Sequence, residues 1–448
     1  MSSSDVEHRQ VLVVGAGPGG SATAQRLAEQ GLDVLVLERR QVVGNPAQCG
    51  ECVPLWGMMT NTFPLLRDDE WLQAYFELPH WVVAKKLDWM RLYGPSMRAY
   101  GFELDCVSVH RLQYDGHLAD RAINAGAEVR TGIELRNVKA QPKLGRDLYV
   151  TNEGRFSADY VIDATGAMAH VARLRGQGSR PVVQLPTVFC QAVGEMPDSF
   201  DIFIGSVAPG GYAWIIPKGD NIGNVGLGVH QKHIDGSLKD RLDEFCHGLG
   251  YEILSWGGGW IPLGGMVKTA VHDNVLAVGD AAGLVMPSNG GGIGQAIVSG
   301  KMAADAVVAH LEDGTPLAAY DATIRRTMGK PLAISTRTKN LFWTSCRNAR
   351  LTTAVLEQCA ASGVIYAEAF LSPDFCGGGD LGAWRDYLHA MREAAAEAEA
   401  LTVDFLVRTP PPGTPWTPFR ADSGGEATFR VQGVPRQLRA VLRARVGN

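Results

Sequence analysis

Gln10-Val-Leu-Val-Val14-Gly15-Ala-Gly17-Pro-Gly19-Gly20-Ser21 is the stretch that decides the fold. Its first half is a short Val-rich apolar run, the pattern of a strand buried on both faces of a parallel sheet. Its second half is Gly15-x-Gly17-x-x-Gly20. Ser21 to Gln30 then reads as a helix with Ala22, Ala24, Leu27 and Ala28 as its apolar members and Gly31 as its stop. Leu32 to Leu37 is a second strand, which completes a βαβ unit. The first glycine permits a tight turn, the second lets backbone approach a pyrophosphate, and the third allows close helix–strand packing. The helix N-terminus adds N–H groups and positive dipole. Glu38 ends the second strand, where a carboxylate accepts hydrogen bonds from a ribose 2′-OH and repels a 2′-phosphate. Gly15, Gly17, Gly19, Gly20, Glu38 and the adjacent Arg39 are therefore expected to line a dinucleotide site. A plain glycine turn would leave Glu38 unexplained.

Working outward, 448 residues suffice for two or three domains with their own cores. The 53 glycines exceed the roughly 7% of average usage and cluster without a repeat, as expected where backbone approaches a ligand. Net charge is −5, and basic residues concentrate only in a tail carrying Arg436, Arg439, Arg443 and Arg445, so nucleic-acid binding is not expected. That tail reads as a solvated terminus, with contact to acidic lipid as the alternative. Eight scattered cysteines and a start, Met1-Ser-Ser-Ser-Asp-Val, without an apolar core point to free thiols in the cytoplasm. No run of about 18 apolar residues is present, which leaves peripheral membrane contact open.

Along the chain, residues 55–103 carry Trp56, Trp71, Trp81 and Trp89 without a clear period. Tyr114 to Gly126 reads as a helix, Ala127 to Thr131 as a strand, and 147–162 as a hairpin. Residues 180–265 alternate short β-like runs with Gly and Pro, the pattern of a mostly antiparallel sheet. Ile293 to His310 is strongly helical, with Ile293, Ala296, Ile297, Ala304, Val307 and Val308 on helical spacing. From 316 onward the chain reads as helical, including 389–401, until Pro410-Pro-Pro-Gly413 breaks it.

Two further segments join the N-terminal turn. Tyr160-Val-Ile-Asp163-Ala-Thr165-Gly166 is a strand entering a small-residue turn, similar to the Ala-Thr-Gly turn common in FAD-dependent oxidoreductases. Asn274-Val-Leu-Ala-Val-Gly279-Asp280-Ala-Ala-Gly283 runs through Pro287 to Asn289-Gly-Gly291-Gly292-Ile293. An Asp past a buried strand can bond ribityl hydroxyls, and a helix start can offer N–H groups to the flavin pyrimidine edge. A capping Asp before a small-residue helix is the bland alternative. With the N-terminal fingerprint, Gly166, Gly279, Asp280, Pro287, Gly291, Gly292 and Ile293 join the expected FAD set. The expected fold is α/β: a discontinuous Rossmann-like FAD-binding domain (1–75, 104–179 and 266–330), a β-rich substrate domain (76–103 and 180–265), and a C-terminal helical region and tail (331–448).

Four segments resemble the geranylgeranyl reductases, a family within the aromatic-hydroxylase-like flavoproteins. Gly44-Asn-Pro46-Ala-Gln-Cys49-Gly-Glu51 is similar to the family's Cys-Gly-Glu stretch, and Arg111-Leu-Gln-Tyr114-Asp115 to its Arg-x-x-Phe-Asp. Tyr212-Ala-Trp214-Ile-Ile-Pro217-Lys218, running on to Asn224-Val-Gly226-Leu-Gly228, looks like its Tyr-x-Trp-x-Phe-Pro-Lys signature. The Gly279–Ile293 segment matches its flavin-closing stretch. The resemblance extends from residue 11 to about 310. Two departures are Asp163-Ala-Thr-Gly166, where many relatives carry Ala-Asp-Gly, and Cys52-Val-Pro after Glu51.

The resemblance implies reduction of C=C bonds in a prenyl chain carried by a lipid, a quinone or a similar hydrophobic molecule. Hydride would pass from reduced flavin to an unactivated alkene, which demands alignment and exclusion of water. It also implies Cys49 and Arg111 beside the flavin, and Cys49, Glu51, Tyr212 and Trp214 as catalytic candidates. Tyr212 and Trp214 share one side of a strand and could wall the substrate channel or be ordinary core aromatics. Glu51 could relay a proton or hold its loop. Cys49-Gly-Glu-Cys52 also spells C-x-x-C, and Cys52 is either incidental or half of a redox pair; with no second such pair and no nearby histidine, no metal site is expected. No second Rossmann fingerprint is present, so electrons are expected from NADPH docking transiently or from a ferredoxin-like protein. The rival readings are a flavin monooxygenase or halogenase, close because Tyr212-x-Trp214-x-Ile216-Pro217 differs at one position from the Trp-x-Trp-x-Ile-Pro motif, and a flavin-binding carrier or sensor.

Overall fold

A computed structural model describes residues 6–141, 146–177, 181, 184–345, 352, 353 and 356. The 389–401 stretch, the Pro410–Gly413 linker and the arginine tail lie outside the described residues.

The opening strand, β1 (Val6–Val14), lies inside the first sheet. Its Val11–Val14 pairs in parallel with β2 (Val34–Glu38) on one side and with residues 160–163 on the other. All of β2 is buried, as a strand covered on both faces requires. The second sheet begins with β3 (Cys52–Pro54) and the long hairpin β4 (Val83–Tyr93) and β5 (Ala99–Val109). The chain then returns to the first sheet through β6 (Glu128–Thr131), β7 (Leu135–Gln141), β8 (Arg146–Thr151) and β9 (Arg155–Asp163). It crosses back for β10 (Gln184–Val193), β11 (Phe200–Phe203), β12 (Tyr212–Gly219), β13 (Ile222–Gly228) and β14 (Glu252–Pro262), and closes the first sheet with β15 (Val271–His272) and β16 (Val275–Ala277). The first sheet runs β15-β16-β9-β1-β2-β6, parallel from β16 to β6, with the β7–β8 hairpin attached to β9. The second runs β14-β10-β13-β12-β11-β4-β5-β3, antiparallel as expected except where β11 pairs in parallel with β4.

The helices are α1 (Pro18–Glu29), α2 (Trp56–Thr62), α3 (Glu70–Phe76), α4 (Arg111–Asn124), α5 (His170–Leu174), α6 (Leu238–Gly248), α7 (Ile293–Asp313) and α8 (Ala319–Ser345). Helix α1 starts before Ser21 because Pro18 occupies its first position, where no N–H is missed. Helix α4 starts at Arg111 rather than Tyr114, and Arg111 and Asp115 form an i,i+4 pair across its first turn. The irregular 55–103 region holds two short helices and most of the β4–β5 hairpin. Register shifts between Val83 and Lys85 and between Leu87 and Trp89 break the two-residue alternation that would have announced the hairpin. The second sheet therefore reaches Val109, beyond the expected boundary at 103, and borrows β3 from within the expected first segment.

Close packing around α1 fixes the first sheet. Gly15 has φ +106°, and a Cβ on Gly20 would sit 1.9 Å from the Gly15 carbonyl oxygen. On its other side α1 crosses α7, where a Cβ on Gly300 would sit 2.4 Å from the Gly19 carbonyl oxygen. Backbone cannot yield there as a flexible side chain could. Gly300→Ala is therefore expected to destabilise the protein by about 1–3 kcal/mol, read as a lower urea midpoint, whereas half-buried Gly116 of α4, whose Cβ would meet nothing within 4 Å, should tolerate alanine without loss.

Candidate active site

A cavity of about 700 Å³ is lined from both sheets. Gly15, Gly17 and Gly19 of the first turn, Glu38 and Arg39 after β2, Gly166 after β9, and Gly279, Asp280, Gly292 and Ile293 before α7 all line it. Cys49, Arg111 and Trp214 line it as well, so most residues singled out from the sequence converge. Five do not reach the lining. Gly20 packs under Gly15. The Gly291 N–H is taken by Asn289 Oδ1 at 2.9 Å, and Pro287 belongs to the same turn, behind Gly290 and Gly292. Tyr212 sits behind that turn, its hydroxyl donating to the Asn289 carbonyl at 2.6 Å. Glu51 lies buried beneath the wall.

The residues present fit FAD. The first turns of α1 and α7 both open on the cavity, and neither helix has a side-chain cap on its free N–H groups. A Cβ on Gly17 would meet nothing within 4 Å, so only open cavity faces that backbone. Glu38 accepts the Ala16 N–H and the Arg40 N–H, each at 2.9 Å, which aims its carboxylate along the nucleotide wall. The Asp280 carboxylate has no hydrogen-bond partner among the described residues. Burial pushes it up to about 6, and the Arg111 guanidinium opposes part of that rise. An acceptor waiting for hydroxyl donors suits the ribityl chain. Between these groups, Asp163 is fully buried and ties down the Ala164-Thr165-Gly166 turn, accepting from the Thr165 N–H, the Thr165 hydroxyl and the Ala172 N–H.

The far wall comes from the second sheet. Phe189 of β10, Trp214 of β12 and Trp260 and Ile261 of β14 face the nucleotide half across the cavity. Phe189 and Trp260 carry no motif, and only the pairing of β10 with β14 brings them to the wall. Space for the indole of Trp214 depends on Gly226 in the neighbouring strand, where a Cβ would lie 2.3 Å from the ring.

Cys49 and Gly50 lie between the two halves. Burial raises the Cys49 thiol and the nearby Arg111 charge partly offsets this. Arg111 is gripped by both oxygens of Asp115, at 2.8 and 2.7 Å, a partner legible only from the i,i+4 spacing. Glu51, at φ +71°, turns its side chain away from the cavity. Its Oε2 accepts from Gln191 Nε2 at 2.6 Å, Lys218 Nζ at 2.9 Å and Asn224 Nδ2 at 3.0 Å, and its Oε1 from the Arg111 N–H at 3.2 Å. Burial works against the charge, but Lys218 and the amide donors hold the carboxyl below its ordinary range. Cys49 and Cys52 are both free thiols and pack on different apolar clusters, Cys52 with Cys106 and Met58. Among the described residues no group of three His, Cys, Asp or Glu side chains could hold a metal ion.

Three outcomes follow from this geometry. Gly17→Ala should leave the FAD-free protein's melting temperature unchanged yet weaken FAD binding at least about tenfold, by blocking the pyrophosphate, as measured by flavin fluorescence titration. Lys218→Met strands the buried Glu51 charge and should cost about 3–5 kcal/mol in denaturant unfolding, with Glu51→Gln in the same chain recovering much of it. Asp280 titrates higher in the fold than its ordinary 3.8. Its contribution to FAD-free stability is fully present below that ordinary value and is lost as pH rises through about 6; Asp280→Asn should remove this slope from thermal unfolding curves between those pH values.

A geranylgeranyl reductase catalytic domain matches residues 186–254, and an NAD(P)-binding Rossmann-like domain matches residues 13–51. Digeranylgeranylglycerophospholipid reductase of Methanocella arvoryzae is 33% identical over 349 residues, covering 72% of this chain and 84% of the relative. Digeranylgeranylglycerophospholipid reductase 1 of Methanothermobacter thermautotrophicus is 32% identical over 338 residues, covering 70% and 79%. Among solved structures, a geranylgeranyl bacteriochlorophyll reductase-like protein from Thermoplasma acidophilum superposes with a TM-score of 0.67 at 27% identity, covering 75% of this chain and 88% of that one. A flavin-dependent brominase, at TM-score 0.63 and 18% identity over 86% of this chain and 99% of its own, shares the fold. The chain, with its dinucleotide cradle facing an aromatic wall across the Cys49 loop, belongs to the geranylgeranyl reductase family of FAD-dependent oxidoreductases.

Proposed function

We propose that this enzyme saturates C=C bonds of a geranylgeranyl-type prenyl chain carried by a lipid. The observation that carries the reading is the division of one cavity into a nucleotide half and a half walled by Phe189, Trp214, Trp260 and Ile261. The two relatives named as digeranylgeranylglycerophospholipid reductases support it. Bound FAD, once reduced, supplies the hydride. The chain's own residues do the rest. The aromatic wall holds an apolar chain and keeps water from the reacting carbons. Cys49, whose raised thiol keeps its proton at neutral pH, is the group we assign to protonate the second carbon. Glu51, with Lys218 and three N–H donors on its oxygens, serves as a positioning residue rather than a relay. Tyr212 takes a similar part by fixing the turn before α7.

The electrons come from NADPH docking transiently or from a ferredoxin-like protein; the chain offers a single glycine fingerprint, and that turn serves FAD. Peripheral membrane contact is supported by Trp256 and Trp260, 39% and 46% exposed on the edge strand β14 that leads from the cavity. Among the described residues no helix is long and apolar enough to cross a membrane.

The test is an anaerobic incubation of the dithionite-reduced holoenzyme with a digeranylgeranyl glycerophospholipid, followed by mass spectrometry. Mass gains in steps of one H₂ are expected; substrate-dependent oxygen uptake with no such gain in its absence would make the protein a monooxygenase instead. Trp214→Ala should keep FAD and lower the rate of saturation about a hundredfold, as misplacement of the reacting atoms predicts.

A further inference from the structure

The C-x-x-C loop and the Tyr-x-Trp strand lie far apart in sequence, yet one buried side chain joins them. Asn224 of β13 is 0% exposed. Its Oδ1 accepts the Trp214 Nε1–H at 2.8 Å. Its Nδ2 donates to the Cys49 carbonyl at 3.1 Å and to Glu51 Oε2 at 3.0 Å. All of its strong bonding directions lead to the cavity wall or to the carboxylate beneath it. Two of the three partners, Trp214 and Cys49, line the cavity, while Asn224 itself does not.

We propose that Asn224 is a positioning residue that locks the indole of Trp214 and the Cys49 thiol loop into one rigid wall. The amide is the only common side-chain type of this size that offers an acceptor to the indole and two donors to the loop at once. Asp has the shape but not the donors; Leu has the shape and neither. Gly50 packs against the same indole, and a Cβ there would lie 3.4 Å from Trp214 Nε1. The loop and the ring therefore touch directly as well as through the amide. Lys218 neutralises Glu51, so the amide need not carry charge compensation. Its role is orientation. The reading of Trp214 and Cys49 as substrate-facing groups rests on the proposed function, but the mechanical coupling does not.

The test therefore has one arm that needs no substrate. In the FAD-free protein, alkylation of Cys49 by iodoacetamide is followed by peptide mass spectrometry. Asn224→Ala should accelerate labelling of Cys49 several-fold and leave labelling of Cys52 unchanged. Asn224→Asp is the near-isosteric control for folding. Its carboxyl would face Glu51 at contact distance, with Lys218 on the same Glu51 oxygen, the Cys49 carbonyl beside it and Arg111 and His110 next outward. Burial beside Glu51 favours its protonated form, which regains one donor, so Asn224→Asp should label at near wild-type rate at low pH and faster as pH rises. That ratio of variant to wild type should change with pH, which cancels the thiol's own titration. In the second arm, prenyl-chain saturation by Asn224→Ala should show kcat reduced about tenfold or more with a KM little changed. In a Trp214→Phe background, which lacks the indole donor, the added effect of Asn224→Ala should shrink. Wild-type labelling in both variants, folded by circular dichroism, would overturn the coupling. Faster labelling in a protein that saturates no prenyl chain would keep the coupling and overturn the proposed function instead.

Discussion

The buried Glu51 carboxylate is where the two halves of this enzyme are tied together. Its donors come from β10, β12 and β13 of the second sheet through Gln191, Lys218 and Asn224. The remaining oxygen accepts from the backbone at the start of α4, on the dinucleotide side. The Glu51 main chain contributes too, its carbonyl accepting the Val109 N–H at 2.9 Å. A carboxylate out of water is tolerated only when nearly every lone pair is used. That requirement dictates the positions of four elements at once, and with them the cavity between the sheets.

The same constraint separates the roles of neighbouring residues. Glu51 is saturated and held ionised, so it organises. Cys49, two residues earlier, lines the cavity with burial raising its thiol, the property on which its proposed role as proton donor rests. Asp280, ahead of α7, retains an acceptor with no partner among the described residues, which suits hydroxyl donors of a ribityl chain. Environment, and not residue type, distinguishes the three acids. The cavity is accordingly polar where two helix N-termini and Asp280 meet it, and apolar where the second sheet presents its rings.

The dinucleotide half was legible because its chemistry is local. Gly20 packs on Gly15 within one turn, Gly17 opens the same turn on the cavity, and Glu38 follows one strand later. Asp280 and the start of α7 were legible for the same reason. The second sheet was partly hidden. Bulges in β4 erased the alternation of residues 83–93, and β11 joins that strand in parallel, a pairing no hairpin rule anticipates. Tyr212 and Trp214 sit on one strand face as the two-residue period requires, yet only Trp214 reaches the cavity, because Asn289 and Gly290 cover the tyrosine.

The sequence by itself therefore determined the βαβ fingerprint, the flavin-closing segment, the FAD cofactor and the family, since each rests on residues close together whose spacing has one physical purpose. Only the tertiary structure decided what Glu51 does and which residues form the far wall. Gln191, Lys218 and Asn224 lie between 140 and 173 positions from Glu51. Phe189 and Trp260 reach the wall through the β10–β14 register, which sets Phe189 opposite Gly257 and Trp260 opposite Pro186. Such partners are chosen by the need to satisfy a charge buried between sheets, a demand that exists only after the sheets have packed.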